Sequence, residues 1–152
     1  RVHEPRVMKF VAQRVSKASL TVDTKPVSDI GHGLVVYFGV KVGDTKAQAE
    51  KCAEKIAHLR VFEDDAGKMN LSVGDVGGEV LLVSQFTLYG DARKGNRPSF
   101  IEAERPEPAD ALYRYAAERL QALGIPVKRG IFGAHMVIDQ VNDGPVTIIY
   151  ET

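Results

Sequence analysis

The chain has 152 residues, 44% hydrophobic and 26% charged, with 20 basic side chains against 20 acidic ones. That length and apolar content predict one domain with its own core, and a formal net charge of zero argues against nonspecific nucleic-acid binding through a generally basic surface. No apolar run approaches the ~20 residues that span a bilayer, the start "RVHEPRVMKF" shows no secretory stretch, and a single Cys52 excludes an internal disulfide framework and suits a reducing, cytoplasmic setting.

In chain order, "FVAQRV" and "ASLTV" predict two strands joined by a short turn at Ser16-Lys17. "GLVVYFGV" is a continuous apolar run, the pattern of a strand covered on both faces. Asp44 is expected to cap a helix, "TKAQAEKCAEKIAHL", in which Ala49, Cys52, Ala53, Ile56 and Leu59 recur at helical spacing. "EVLLVSQF" repeats the buried-strand pattern. A second helix over 109–123 carries Leu112, Tyr115, Ala116, Leu120 and Leu123 on one stripe and ends at Gly124 and Pro126. Three strands follow, over 127–131, 134–141 and 146–150. "DIGHGLVVYF" echoes "DVGGEVLLVS", each ahead of a helix. The order is two strands, two strand–helix units and three strands, a single-domain α/β protein of three-layer α/β/β type.

Little of the usual catalytic equipment is present. His3, His32, His58 and His135 lack metal-ligand spacing and have no cysteine pair beside them, so neither a metal nor a cofactor is expected. Cys52 sits on the apolar helix stripe and reads as a core thiol. No G-x-S-x-G or G-x-x-x-x-G-K-[ST] motif occurs, and the glycine-rich "DIGHG" and "DVGG" precede strands rather than helices.

The stretch "VSQFTLYGDARKGNRPSF" stands apart. A buried strand runs directly into Ser84, Gln85 and Thr87. Strand alternation places Gln85 and Thr87 on one face and Ser84 with Phe86 on the other. Uniting both hydroxyls requires a bend after Ser84; the alternative is a strand emerging into solvent. Arg93, Lys94 and Arg97 follow on a loop with Gly95 and Asn96, fitting either a phosphate-gripping arm or a solvated charge run. In "GIFGAHMVIDQ" a strand would align Phe132, Ala134, Met136 and Ile138, as a nucleobase wall or as ordinary core. Near the end, "NDGPVT" puts Gly144-Pro145 before a strand. It reads as a hairpin turn or as a place where another group approaches the backbone.

Together "QRVSKASLTV", "LRVFEDDAGKMNLSV", "SQFTL", "KGNRPSF", "GIFGAHM" and "NDGPVT" closely resemble the D-aminoacyl-tRNA deacylase (D-tyrosyl-tRNA deacylase) family, from Met8 to Thr152 in order. Residues 1–7 look like an N-terminal extension to a deacylase domain over 8–152. The resemblance implies the DTD-like fold and a homodimeric esterase that hydrolyses D-aminoacyl-tRNA, with no membrane or DNA partner. It implies that Gly144-Pro145 is cis and reaches into the other subunit's site, excluding L-substrates while leaving Gly-tRNA open to hydrolysis, with Arg14 bracing the loop. Ser84, Gln85, Phe86 and Thr87 would form the catalytic strand end. Backbone N–H groups near Phe86 and Thr87 would stabilise the oxyanion, with a ribose hydroxyl assisting, or else the Thr87 hydroxyl would act directly. Phe132 and Met136 would contact the 3′-terminal adenosine of the aminoacyl-tRNA, and Lys94 and Arg97 the RNA backbone. The rivals are a relative with a trans Gly-Pro that clears L-alanine from mischarged tRNA, a non-catalytic tRNA-binding module, and a small-molecule esterase.

Overall fold

The computed structural model of the chain describes residues 7–152; the proposed extension lies, but for Val7, outside them. Eight strands and two helices follow in order: β1 (Lys9–Val22), β2 (Lys25–Ile30), β3 (Gly33–Gly39), α1 (Lys46–His58), β4 (Phe62–Glu63), β5 (Met69–Leu71), β6 (Glu79–Ser84), α2 (Pro106–Ala122), β7 (Val127–Arg129) and β8 (Val137–Glu151).

At the centre β3 pairs parallel with β6, and β6 with β7. The sequence echo is this pairing: Gly33 meets Glu79, Leu34 meets Val80 and Phe38 meets Ser84. Equivalent positions of the two segments are therefore ladder partners. Alternation divides the residues between two cores. Leu34, Val36 and Phe38 of β3 join Val80 and Leu82 of β6 beneath the helices, with Ala49, Cys52, Ala53 and Ile56 of α1 and Leu112, Ala116 and Leu120 of α2. Val35, Leu81 and Val83 face the other way, against Val15, Ala18 and Leu20 of β1 and Ile30 of β2, with Met136 and Ile138 packed alongside. The architecture is the expected three-layer α/β/β. Truncating a buried Leu or Phe of the middle layer to alanine costs about 2–5 kcal/mol.

The outer strands depart from the sequence reading. No turn occurs at Ser16-Lys17, because β1 is a single strand that changes partner there. Lys9–Val15 pairs with β3, and Ala18–Val22 pairs with β2. Its inward side chains switch accordingly, from Phe10 and Ala12 in the helix-side core to Val15, Ala18 and Leu20 in the other. The hairpin is later, at Asp23-Thr24, where both residues have positive φ (51° and 65°), as a right-twisted two-residue turn requires. The strands expected over 134–141 and 146–150 are one strand, β8, antiparallel to β1 along its length. The strand expected over 127–131 stops at Arg129, and residues 131–136 form turns rather than strand. Thr45, not Asp44, is the N-cap of α1, and its N–H donates to Gln48 Oε1 at 2.7 Å. Asp44 instead closes the preceding turn, accepting from the Lys41 N–H at 2.7 Å. The second helix begins at Pro106, three residues before the expected Ala109, because proline suits the first turn of a helix. Among the described residues, no helix is long and apolar enough to cross a membrane.

Candidate active site

β6 ends where its polar residues begin. Gln85 keeps one sheet-like bond, its N–H to the Phe38 carbonyl at 2.8 Å, and then turns the chain (φ −142°, ψ 85°) into a short 3-10 helix, Phe86–Tyr89. The expected bend after Ser84 is present, but it does not unite the two hydroxyls: Ser84 lines the cavity beside the turn and Thr87 does not. Two features hold it. The buried Tyr89 hydroxyl donates to the carbonyls of Val7 (2.7 Å) and Gly39 (3.2 Å), and burial pushes its pKa well above the ordinary tyrosine value. Gly39 leaves room for the turn, since a Cβ there would lie 2.9 Å from the Tyr89 ring and 3.2 Å from the Gln85 carbonyl oxygen.

The turn leaves two donors unused. Inside it, Leu88 N–H bonds to Gln85 O and Gly90 N–H to Thr87 O. Among the described residues, the N–H groups of Phe86 and Thr87 make no hydrogen bond, as expected at the start of a helix.

Beside the turn lies a cavity of about 670 Å³ lined mainly by apolar side chains. It is lined by Ser84, Gln85 and Phe86 at the end of β6, by Phe132, Ala134, His135 and Met136 of the turns after β7, and by Phe100, Glu104 and Ala109. The 131–136 turns, with Gly133 at φ 78°, bring Phe132, Ala134 and Met136 to the cavity as expected of a strand, but they also bring Gly133 and His135, which strand alternation would have turned away. The Thr87 side chain is exposed and does not line the cavity; its hydroxyl accepts a hydrogen bond from Gln85 Nε2. Tyr113 supports the site from below, donating to the Leu82 carbonyl at 2.6 Å, with its ring centroid 6.3 Å from that of Phe132.

Gly144 and Pro145 are elsewhere. Their peptide bond is cis, both residues are exposed, and neither lines the cavity. They sit on a bulge. Thr147 pairs with Gln13 and Asn142 with Val15, so five steps along β8 span two along β1, and residues 143–146 bow out of the ladder opposite Arg14. The Arg14 side chain, only 6% exposed, fills the gap. Its Nε donates to the Asp143 carbonyl at 3.1 Å and its Nη1 to the Val61 carbonyl at 2.7 Å. Carboxylates of Asp143 and Glu63 stand 3.4 and 3.7 Å away. Gly144 has φ +127°, and a Cβ on it would lie 3.2 Å from Arg14 Nη2. The bulge thus rests on the arginine at a point where only glycine fits well.

The cationic arm is a loop pinched by Asp91 and Ser99, which exchange N–H···O bonds of 2.8 and 2.9 Å. Arg93 is spent on Asp91 at 2.7 Å, which holds that carboxyl down at about 2. Lys94 and Arg97 are exposed and, among the described residues, have no ion-pair partner. Sequence reading gave no role to Gly39, Phe100 or Ala109. Phe100 ends the segment "KGNRPSF", but nothing in its spacing predicts a cavity wall. Ala109 is simply a small residue on a buried helix stripe.

Comparison with known proteins identifies the family. The family model described as D-Tyr-tRNA(Tyr) deacylase matches residues 11–151. The chain belongs to that family. Membership in the deacylase family makes it a hydrolase. Among curated deacylases of this kind, the chain is 60% identical over 141 residues to the D-aminoacyl-tRNA deacylase of Thermomicrobium roseum, covering 93% of this chain and 92% of the relative. It is 54% identical over 145 residues to that of Halalkalibacterium halodurans, covering 95% and 99%. A solved structure titled c-Myc DNA Unwinding Element Binding Protein superposes with a TM-score of 0.90 at 44% identity, covering 95% of this chain and 98% of that one. A probable eukaryotic D-amino acid tRNA deacylase superposes with a TM-score of 0.84 at 18% identity, over 96% and 100%, which extends the deacylase fold to a distant sequence.

Proposed function

We propose that the chain is a homodimeric, cytoplasmic chiral proofreading enzyme that hydrolyses the ester of D-aminoacyl-tRNA, D-Tyr-tRNA among others, releasing free D-amino acid and tRNA. The observation that carries this reading is the meeting, in one cavity, of the Ser84–Phe86 strand end with the Phe132–Met136 turn. The terminal adenine enters between Phe132 and Met136, which brings the acylated ribose to the turn after Ser84. There the unused N–H groups of Phe86 and Thr87 bind the ester carbonyl and stabilise the oxyanion that develops as water attacks. The ester needs no nucleophilic side chain, because the neighbouring ribose hydroxyl assists. Lys94 and Arg97 meet the RNA backbone.

Selection comes from a second copy of the chain. The exposed bulge at Gly144-Pro145, braced by Arg14, is directed at the aminoacyl carbon of the partner's substrate, so that main chain blocks the L configuration whatever the side chain. Glycine, having no Cβ, passes the same filter, and Gly-tRNA is a further substrate. The contact of Arg14 with the Asp143 carbonyl favours this D-specific reading over a relative that clears L-alanine.

The test is single-turnover hydrolysis of D-Tyr-tRNA whose terminal ribose lacks the free neighbouring hydroxyl. The proposal expects a loss of roughly 10²-fold or more, the scale general acid–base assistance supplies. An unchanged rate would assign the assistance to the protein.

A further inference from the structure

We infer that the mouth of the cavity carries a second nucleotide subsite, formed by the exposed rings of Phe86 and Phe100, that takes the cytidine preceding the terminal adenosine. This rests on the reading above and extends it by one nucleotide. Phe86 is 57% exposed and Phe100 36% exposed, although both line the cavity. Their rings form an edge-to-face pair, centroids 5.2 Å apart at 67°. The solvent-facing part of these rings is surplus to enclosing one base, which Phe132, Ala134 and Met136 already flank. Large apolar groups left in water at a cavity mouth mark a contact still to be made.

The neighbourhood says what kind of contact. Phe100 is the residue immediately after the pinch that closes the cationic arm, and it is held in place. A Cβ on Gly90 would lie 3.0 Å from its ring, and its carbonyl accepts the Ala103 N–H at 3.1 Å. Lys94 and Arg97, the two unpaired cations, stand in the same loop. Of the acidic side chains nearby, Asp91 pairs with Arg93, Glu102 is exposed two residues beyond Phe100, and Glu104 lines the cavity while accepting the N–H groups of Arg105 (2.9 Å) and Gly43 (3.4 Å). Ile101, next in sequence to Phe100, is 85% exposed. Aromatic faces beside unpaired cations are the combination that holds single-stranded nucleic acid, with bases stacked on the rings and phosphates at the charges. The 3′ end of a tRNA is single-stranded, and the nucleotide before its last adenosine is a cytidine.

The experiment compares kcat/KM of the full-length protein for three D-tyrosyl esters: of adenosine, of 5′-phosphoadenosine and of the dinucleotide cytidylyl-adenosine. The dinucleotide ester should exceed the phosphoadenosine ester by roughly tenfold, the scale of one base stacked on an aromatic side chain. Phe100→Ala should bring that ratio towards unity, and Phe100→Tyr should keep it. The ratio is the readout, so any loss common to all three esters does not enter. Equal rates on the dinucleotide and phosphoadenosine esters of the unaltered protein would overturn the subsite. So would a Phe100→Ala protein that slows all three esters equally, because the ring would then belong to the adenosine pocket. Cleavage of D-Tyr-tRNA with none of the three esters cleaved would also overturn it, because recognition would then lie beyond the last two nucleotides; failure on D-Tyr-tRNA as well would overturn the deacylase reading itself.

Discussion

Thr87 looks at first like the nucleophile of an esterase, yet its hydroxyl is exposed, lies outside the cavity wall and accepts a bond from Gln85. Among the described residues, the hydrogen-bond partner of that hydroxyl is Gln85, an amide that cannot deprotonate it. In the proposed mechanism the chemistry falls instead to the N–H of the same residue, which alanine retains. Thr87→Ala should therefore lose less than about tenfold in kcat/KM on D-Tyr-tRNA, whereas loss of an oxyanion-stabilising donor costs roughly 10²–10³-fold. A fall to background in a deacylation time course would return the role to the hydroxyl. Buried titratable groups make a separate prediction. Burial pushes the Cys52 thiol up from 9.0 to about 12 and the Tyr113 phenol from 10.0 to about 12. Both are neutral when protonated, so the folded chain binds these protons more tightly than the unfolded chain does. The stability they confer is complete below pH 9 and is lost as the pH rises from there to 12. Thermal denaturation should show a midpoint falling over that window, with a smaller fall in Tyr113→Phe; a rising midpoint would contradict it.

Among the elements, the paired outer strands explain both what the sequence reveals and what it hides. The middle layer was legible because β3 and β6 are buried on both faces, which forces unbroken apolar runs, and the echo between them turned out to be their register. The helices were legible from their stripes. The lengths of β1 and β8 were not. Each changes face part-way, so its pattern breaks as it would at a turn, and only the long-range pairing of the two shows that neither ends there. Within the site, "SQFTL" announced itself by placing polar residues on a buried strand, and the need for a bend could be reasoned out. Phe100 and Ala109 could not be found, because a cavity wall is defined by the neighbours a residue meets in space. Arg14 was named by resemblance, but its position opposite the bulge is a property of register. It joins β1, the segment before β4 and the β8 bulge through two carbonyls. Arg14→Ala should destabilise the fold by about 2 kcal/mol, since it leaves the buried Val61 carbonyl unpaired, at a cost of roughly 1–3 kcal/mol. Arg14→Lys should recover only part, because an ammonium lacks the fork that reaches both carbonyls. Urea denaturation checks this, and an unchanged midpoint in Arg14→Ala would show that the bulge stands without its brace.

At the scale of the whole molecule, the two halves of the proposed machinery are separated within a single chain. The cavity and the unused N–H groups lie at the end of β6, while the Gly144-Pro145 bulge is exposed on β8 and lines no part of that cavity. A deacylase working by main-chain exclusion therefore needs a second copy to complete each site, and the proposed homodimer supplies it. The outer side of β8 has a suitable surface, with Val137, Val141 and Ile149 exposed along it. Such a filter examines the α-carbon alone, so discrimination should not depend on which amino acid is attached. Its most direct test is hydrolysis of D-Tyr-tRNA and L-Tyr-tRNA, side by side, by the purified protein. Rapid loss of the D-ester while the L-ester persists is the predicted result; equal hydrolysis of the two, or hydrolysis of neither, would contradict it.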